Sequence, residues 1–369
     1  MINAINSSFN GNANSSSNNT GASGINAFNT AAGNLTINTT RSTFNGNTNT
    51  GTGTAVAGIS ASNTTTGNLT INATDSQFNQ NSSTNAQVNG LYIIDNGGHV
   101  NLNLFNSSFN GNTITGPNNG SADGVFINAV NLNMNVTNST FNGNVSDSQN
   151  AGGGFANGLE AEVSGTATIT VINSQFNGNQ ALNAGGGFQA AGLLVFDTGT
   201  ANTQVSISGS QFNNNLVTGD GANGGATGFN IYHTSSNTMS IVVTNSQFNG
   251  SSASGNGNAG AAGLYAATAA GAGALTISAT GSQFNANTAS GTGANAFGSG
   301  FYVDNQLGTS PLSVLSLYGS TIANNSTYGI YAAGVAAAPP ATTVNISGSN
   351  IYGNTTQNIQ TTGDVTITP

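Results

Sequence analysis

The stretch NSQFNGN, Asn173 to Asn179, returns along the chain with small changes: NSSFNGN from Asn6 and again from Asn106, NSTFNGN from Asn138, NSQFNGS from Asn245. Its aromatic falls at Phe9, Phe44, Phe78, Phe109, Phe141, Phe176, Phe212, Phe248 and Phe284, then as Ile322 and Ile351, eleven copies spaced 29 to 38 residues apart. Ser stands two positions before each of them, from Ser7 to Ser349, and Asn three positions after, from Asn12 to Asn354, with Ser251 the one exception. A period of this length marks a repeat architecture, in which each unit buries its apolar face only against its neighbours.

Upstream of the Phe lies an alternating run, TATITVIN (Thr166 to Asn173) or LTISAT from Leu275. Apolar residues two apart among Val, Ile and Thr indicate a strand with one buried face. Between run and Ser sits Asn, Asp or Gly in ten copies, residue types that tolerate the left-handed conformation of a sharp bend; Arg41 is the odd member. Downstream come a polar loop, a Gly and a further apolar strand, as in GLYIID from Gly90, GLLVFD from Gly192 and GFYVDN from Gly300. Each repeat therefore reads as three short strands, one tight bend and two looser connections. The Ala-rich piece from Gly257 holds too many glycines for a helix.

The expected fold is all-β: a right-handed parallel β-helix, or solenoid, of about eleven coils with one long variable loop per coil, forming a single domain over residues 1–369. At about 4.8 Å per coil the rod is roughly 50 Å long. FNGN at Phe176 to Asn179 and AGGGFQAAGLL at Ala184 to Leu194 resemble the F-x-x-N and G-G-A-I motifs of the polymorphic outer-membrane proteins and, more widely, bacterial autotransporter adhesin passengers. That resemblance implies a surface-exposed adhesive stalk. The second motif is degraded in most copies, as in VNGLYI from Val88, and these 369 residues contain no translocator barrel sequence.

Alternation assigns the faces. The first and third residues after the strand Gly, such as Leu91 and Ile93, point inward, and the Phe of each repeat joins them as a stacked structural ladder. The Asn three positions on is placed to bond its amide to the neighbouring coil. The second and fourth residues after the Gly point outward. They supply an aromatic and aliphatic stripe of Tyr92, Phe126, Leu194, Phe196, Tyr232, Tyr265, Tyr302 and Tyr331, the candidate ligand or partner surface, unless the loops fold over it.

Composition narrows the function. Charged residues make up 3% of the 369, with one Arg, no Lys and ten acids, so the phosphate-neutralising surface of a nucleic-acid binder is absent. Without Cys there are no disulfides or thiolate metal sites. No apolar run is long enough for a membrane-spanning helix. MINAINSSFNG lacks the basic and apolar segments of a signal peptide, so the expectation is a mature product or a segment of a longer protein.

Chemistry is sparse. Glu160 and Glu162 are the one close carboxylate pair, read as solvated outward charges rather than an acid and base. Asp95, Asp197 and Asp304 recur just past the third strand as turn residues, and His99 and His233 stand isolated. Arg41, at a bend, is unsuited to lyase chemistry, so no catalytic residue, metal or cofactor is assigned. N-x-S/T tripeptides, as at Asn34 and Asn68, follow from composition. The expected function is a non-catalytic extracellular or cell-surface rod presenting loops and the aromatic stripe to glycans or proteins of a host or neighbouring cell. The alternative is a filament subunit stacking end to end by self-association; ice binding or polysaccharide processing ranks lower.

Overall fold

The computed structural model describes residues 1–15, 21–51, 55–116, 120–148, 154–182, 187–219, 223–255, 257, 259–269, 271–291, 293, 296–305, 313–334 and 342–369. Part of the second quoted motif, Ala184 to Gly186, lies outside them. Among the described residues there is no helix, and strands pair in parallel with the equivalent strand one repeat away. The chain is a parallel β-solenoid.

The alternating runs form one long ladder in which like pairs with like: Leu35 with Leu69, Ile169 with Val205, Ile207 with Val243. Each run ends at a residue with φ between +48° and +60°, among them Asn173, Gly209 and, at some strain, Arg41. A single bridging residue follows, then the Phe. A second left-handed bend comes two residues after the Phe, at Gly46, Gly178, Gly250 or, less comfortably, Ala286. The sequence reading counted one bend per coil; the Gly of FNGN is the other, because the chain turns again directly behind the ring.

Coil number also needs correcting. Short strands after the Asn form a nine-stranded sheet, running from Ala13–Asn14 to Thr288–Gly291. The last two copies instead pair through Thr321–Ala323 and Asn350–Tyr352, so complete three-stranded coils are fewer than the eleven motif copies.

From Phe44 to Phe284 the rings are fully buried, and each stacks nearly parallel on the next, from Phe9 onward, with centroids 4.5 to 5.0 Å apart. Each buried ring contributes about 1.5 to 3 kcal/mol of apolar burial. Three polar ladders run beside this column. Each repeat Ser N–H donates to the Ser Oγ of the following coil at 3.1 to 3.2 Å. Asn at the third position after Phe donates Nδ2 to the next Asn Oδ1 at 2.7 to 3.1 Å, broken only at Ser251. The Asn directly after the Phe works in the opposite direction. Its Oδ1 accepts the backbone N–H from the following coil at 2.7 to 3.0 Å, from Asn10 to Asn285.

Strand glycines mark where the wall meets the Phe column. A Cβ on Gly158 or Gly192 would lie 2.6 Å from the next coil's glycine carbonyl and about as close to a Phe ring as atoms can pack, so no larger residue fits. Two residues before such glycines, Ala156, Ala190, Ala226 and Ala261 pack on Ala181, Val217 and Ala253 of the short strands, a satellite core of small side chains. Ala22, Val56, Val88, Ala122 and Ile114 do the same lower in the rod.

Candidate functional site

The outer surface folds inward at each strand glycine. Across Gly158 the register passes from Asn157 paired with Asp123 directly to Leu159 paired with Val125, leaving the glycine itself out of the ladder. Gly158 and Leu159 both face the core, and the residues on either side, Asn157 and Glu160, are brought together outside: Asn157 Nδ2 donates to Glu160 Oε2 at 2.8 Å. The same meeting recurs as Tyr328 against Tyr331, with centroids 5.6 Å apart. Three residues before the glycine, Phe297 leans in over Tyr302 at 4.0 Å. Repeated along the stack, this elbow makes a groove parallel to the rod axis. Its floor is formed by the residues one before and two after the glycine, and one wall by those four after.

The sequence-derived stripe lies in this groove. Tyr92, Phe126, Phe196, Tyr232, Tyr265, Tyr302 and Tyr331 are all half-buried. Leu194 is the correction: only 3% exposed, it is enclosed between the coils of Glu160 and Asn230 and offers no surface. Nor is the stripe continuous. Tyr92 stacks on Phe126 at 5.4 Å, and a second run passes from Phe196 to Tyr232, Tyr265, Tyr302 and Tyr331 with successive centroids 4.4 to 6.0 Å apart. A cavity of about 310 Å³ closes that run, bounded by Phe297, Tyr302, Tyr328, Tyr331, Gln360 and Thr362. Burial pushes the phenols of Tyr265 and Tyr302 well above their ordinary range, with neighbouring Tyr and Asp304 adding to it, so both remain neutral O–H groups.

Between the two runs sit the carboxylates, and here too the expectation changes. Glu160 is 8% exposed, not solvated, and Asp123 is fully buried. Asp123 Oδ1 accepts both the backbone N–H and Nδ2 of Asn157 at 3.1 Å, and Glu162 Oε2 accepts from Asn128 at 2.6 Å. Burial, then the neighbouring charge of Glu162, raises the Glu160 carboxyl to about 7. Burial and Glu160 raise Asp123 strongly. The sequence reading missed Asp123, Asn157, Asn230, Phe297 and Tyr328. Their fixed offsets from the strand glycine were the available signal.

Away from the groove, His233 is not isolated: its Nδ1 lies 2.9 Å from Asp197 Oδ2, both fully buried. Each stands five residues after its strand glycine, a position at which Asn29 also donates to Asn63, and Asn63 to Asp95. Asp304, one residue short of that position, is stacked on Ala267 instead. Among the described residues no group of His, Cys, Asp and Glu is arranged to hold a metal ion, and no helix is long and apolar enough to cross a membrane.

No protein-family model, curated protein or solved structure matched this chain in the three comparisons. Function is therefore argued from the groove.

Proposed function

We propose that the protein is a non-catalytic adhesive rod, displayed outside the cell, that holds a glycan along the groove. The observation carrying this reading is the register of Tyr265, Tyr302 and Tyr331 beside Phe297, half-buried rings at successive coils on a concave surface. Rings held in this way offer flat apolar faces with little entropy left to lose, and their hydroxyls, with Gln360 and Thr362, offer hydrogen bonds to a polyhydroxylated chain. Location outside the cell is supported by composition. With one Arg and no Lys, the chain presents trypsin-like proteases a single site.

The test is a glycan array probed with the wild type and with Tyr265→Ala plus Tyr302→Ala. Binding that disappears in the double variant is the expected result. Absence of binding to every glycan, or binding unchanged in the variant, would overturn the proposal. Circular dichroism of the variant checks that the solenoid is intact.

A further inference from the structure

The groove is apolar toward its ends and charged in its middle. Asp123, Glu160 and Glu162, three of the chain's ten acidic residues, gather between the Tyr92–Phe126 run and the run that begins at Phe196. Nothing positive answers them. Arg41, the chain's single basic side chain other than His, stands at the bend of another coil, and the charged form of Glu160 is relieved only by the Asn157 amide. Burial holds Asp123 and Glu160 toward their neutral forms, and the half-buried Glu162 is the carboxylate placed to meet a cation brought in by a ligand.

The geometry beside the carboxylates provides room. A second cavity, of about 300 Å³, is bounded by Asn128, Glu162, Val163, Ser164, Phe196 and Thr198. It places a carboxylate and an aromatic face on one space, the pairing that suits an ammonium group. Beneath the floor lies an unsatisfied hydrogen-bonding group: Asn230 Oδ1, in a residue 3% exposed, has no partner. Asn230 occupies the outward position between Leu194 and Tyr265. Three residues before its strand glycine, Gln189 Nε2 is likewise unpartnered, in a residue 7% exposed. Native interiors seldom leave such groups unpaired, and both belong to the coils between that of Glu162 and that of Tyr265.

We infer that the groove takes an amine-bearing polysaccharide, a hexosamine polymer with free amino groups, with one ammonium between Glu162 and Phe196 and sugar faces on Tyr265, Tyr302 and Tyr331. This rests on the groove being a glycan site and adds the ligand's charge. Glu162 and Tyr302 lie four coil steps apart, roughly 19 Å at about 4.8 Å per coil, so a short oligomer reaches both.

Titration calorimetry with glucosamine hexamers, one with free amines and one fully N-acetylated, tests it at about pH 6 and low salt. The free-amine hexamer is expected to bind about tenfold more tightly, an advantage lost in about 0.5 M salt and in Glu162→Gln. Glu162→Gln keeps the acceptor oxygen facing Asn128, and circular dichroism of the variant checks that the solenoid is intact. Equal binding of the two hexamers to the wild type, or an advantage that survives Glu162→Gln, overturns the inference and leaves the glycan reading standing. If neither hexamer binds, the inference falls, while the array decides the wider reading.

Discussion

Asn215 turns its side-chain amide to the carbonyl of Thr227, 3.1 Å away, because the next coil offers Ser251 where the other coils offer Asn. Ser251 Oγ is fully buried and has no partner. Ser251→Asn is expected to join the two halves of the ladder and to stabilise the solenoid by about 1 kcal/mol, a typical net gain for a buried hydrogen bond. Denaturant unfolding gives the sign. Unchanged or lower stability would mean that the shorter side chain is needed for packing at that coil.

Bend residues provide a second test. Arg41 and Ala286 hold φ of +49° and +56° at bends that other coils fill mostly with Asn or Gly, with Asp75 and Gln80 the further exceptions. Arg41→Asn and Ala286→Gly should each stabilise by about 0.5 to 1 kcal/mol. The relief of left-handed strain outweighs, for glycine, the extra freedom of the unfolded chain. Thermal unfolding of the single and double variants measures both, and the effects should add, since the bends lie many coils apart.

Phe176→Ala removes a fully buried ring stacked between Phe141, 4.5 Å away, and Phe212, 4.7 Å away. The expected cost is about 3 to 5 kcal/mol. Phe9→Ala, at a half-exposed ring with a stacking partner on one side only, should cost clearly less. Hydrogen exchange should show protection lost around the substituted coil first, because coils contact only their neighbours.

Stability should fall as pH rises. The Glu160 carboxyl titrates near 7 when folded and near about 4.3 when unfolded, so between those values the folded state binds more protons. Its contribution is complete below the lower value and is lost as pH climbs through the upper. Asp123 and Asp95, also raised by burial, act in the same direction. Melting temperature is expected to drop between about pH 5 and pH 8, with a flatter profile in Glu160→Gln. An unaltered profile in that variant would assign the dependence to the other two.

The scaffold was readable because its residues repeat by identity. Phe176, Ser174 and Asn179 have counterparts doing the same thing in nearly every coil, and alternation in TATITVIN places the inward side without reference to any other segment. The groove was less readable because its surface joins residues by two rules at once. Asn157 meets Glu160 across a glycine that drops out of the ladder, and Asp123 meets Asn157 one repeat away. Periodicity of two would send residues three apart to opposite faces, so Glu160 was read as solvated. The sequence reads Asp197 as a turn residue and His233 as isolated for a similar reason: 36 positions apart, they become neighbours only once each is counted from its own glycine. The shift of Asp304 by one residue shows how little such counting tolerates.

The two Asn ladders also have an electrical consequence. In one, backbone N–H groups point toward the later coil's side chains, as Asn47 does to Asn81; in the other they point back, as Asn79 does to Asn45. An α-helix aligns its amide dipoles and so acquires a positive and a negative end. Here the two Asn ladders oppose one another, leaving only the Ser ladder aligned, and the sheet contributes little net dipole. Lengthening the rod by further coils therefore adds reach with little of the field that fully aligned amides would build up along its axis.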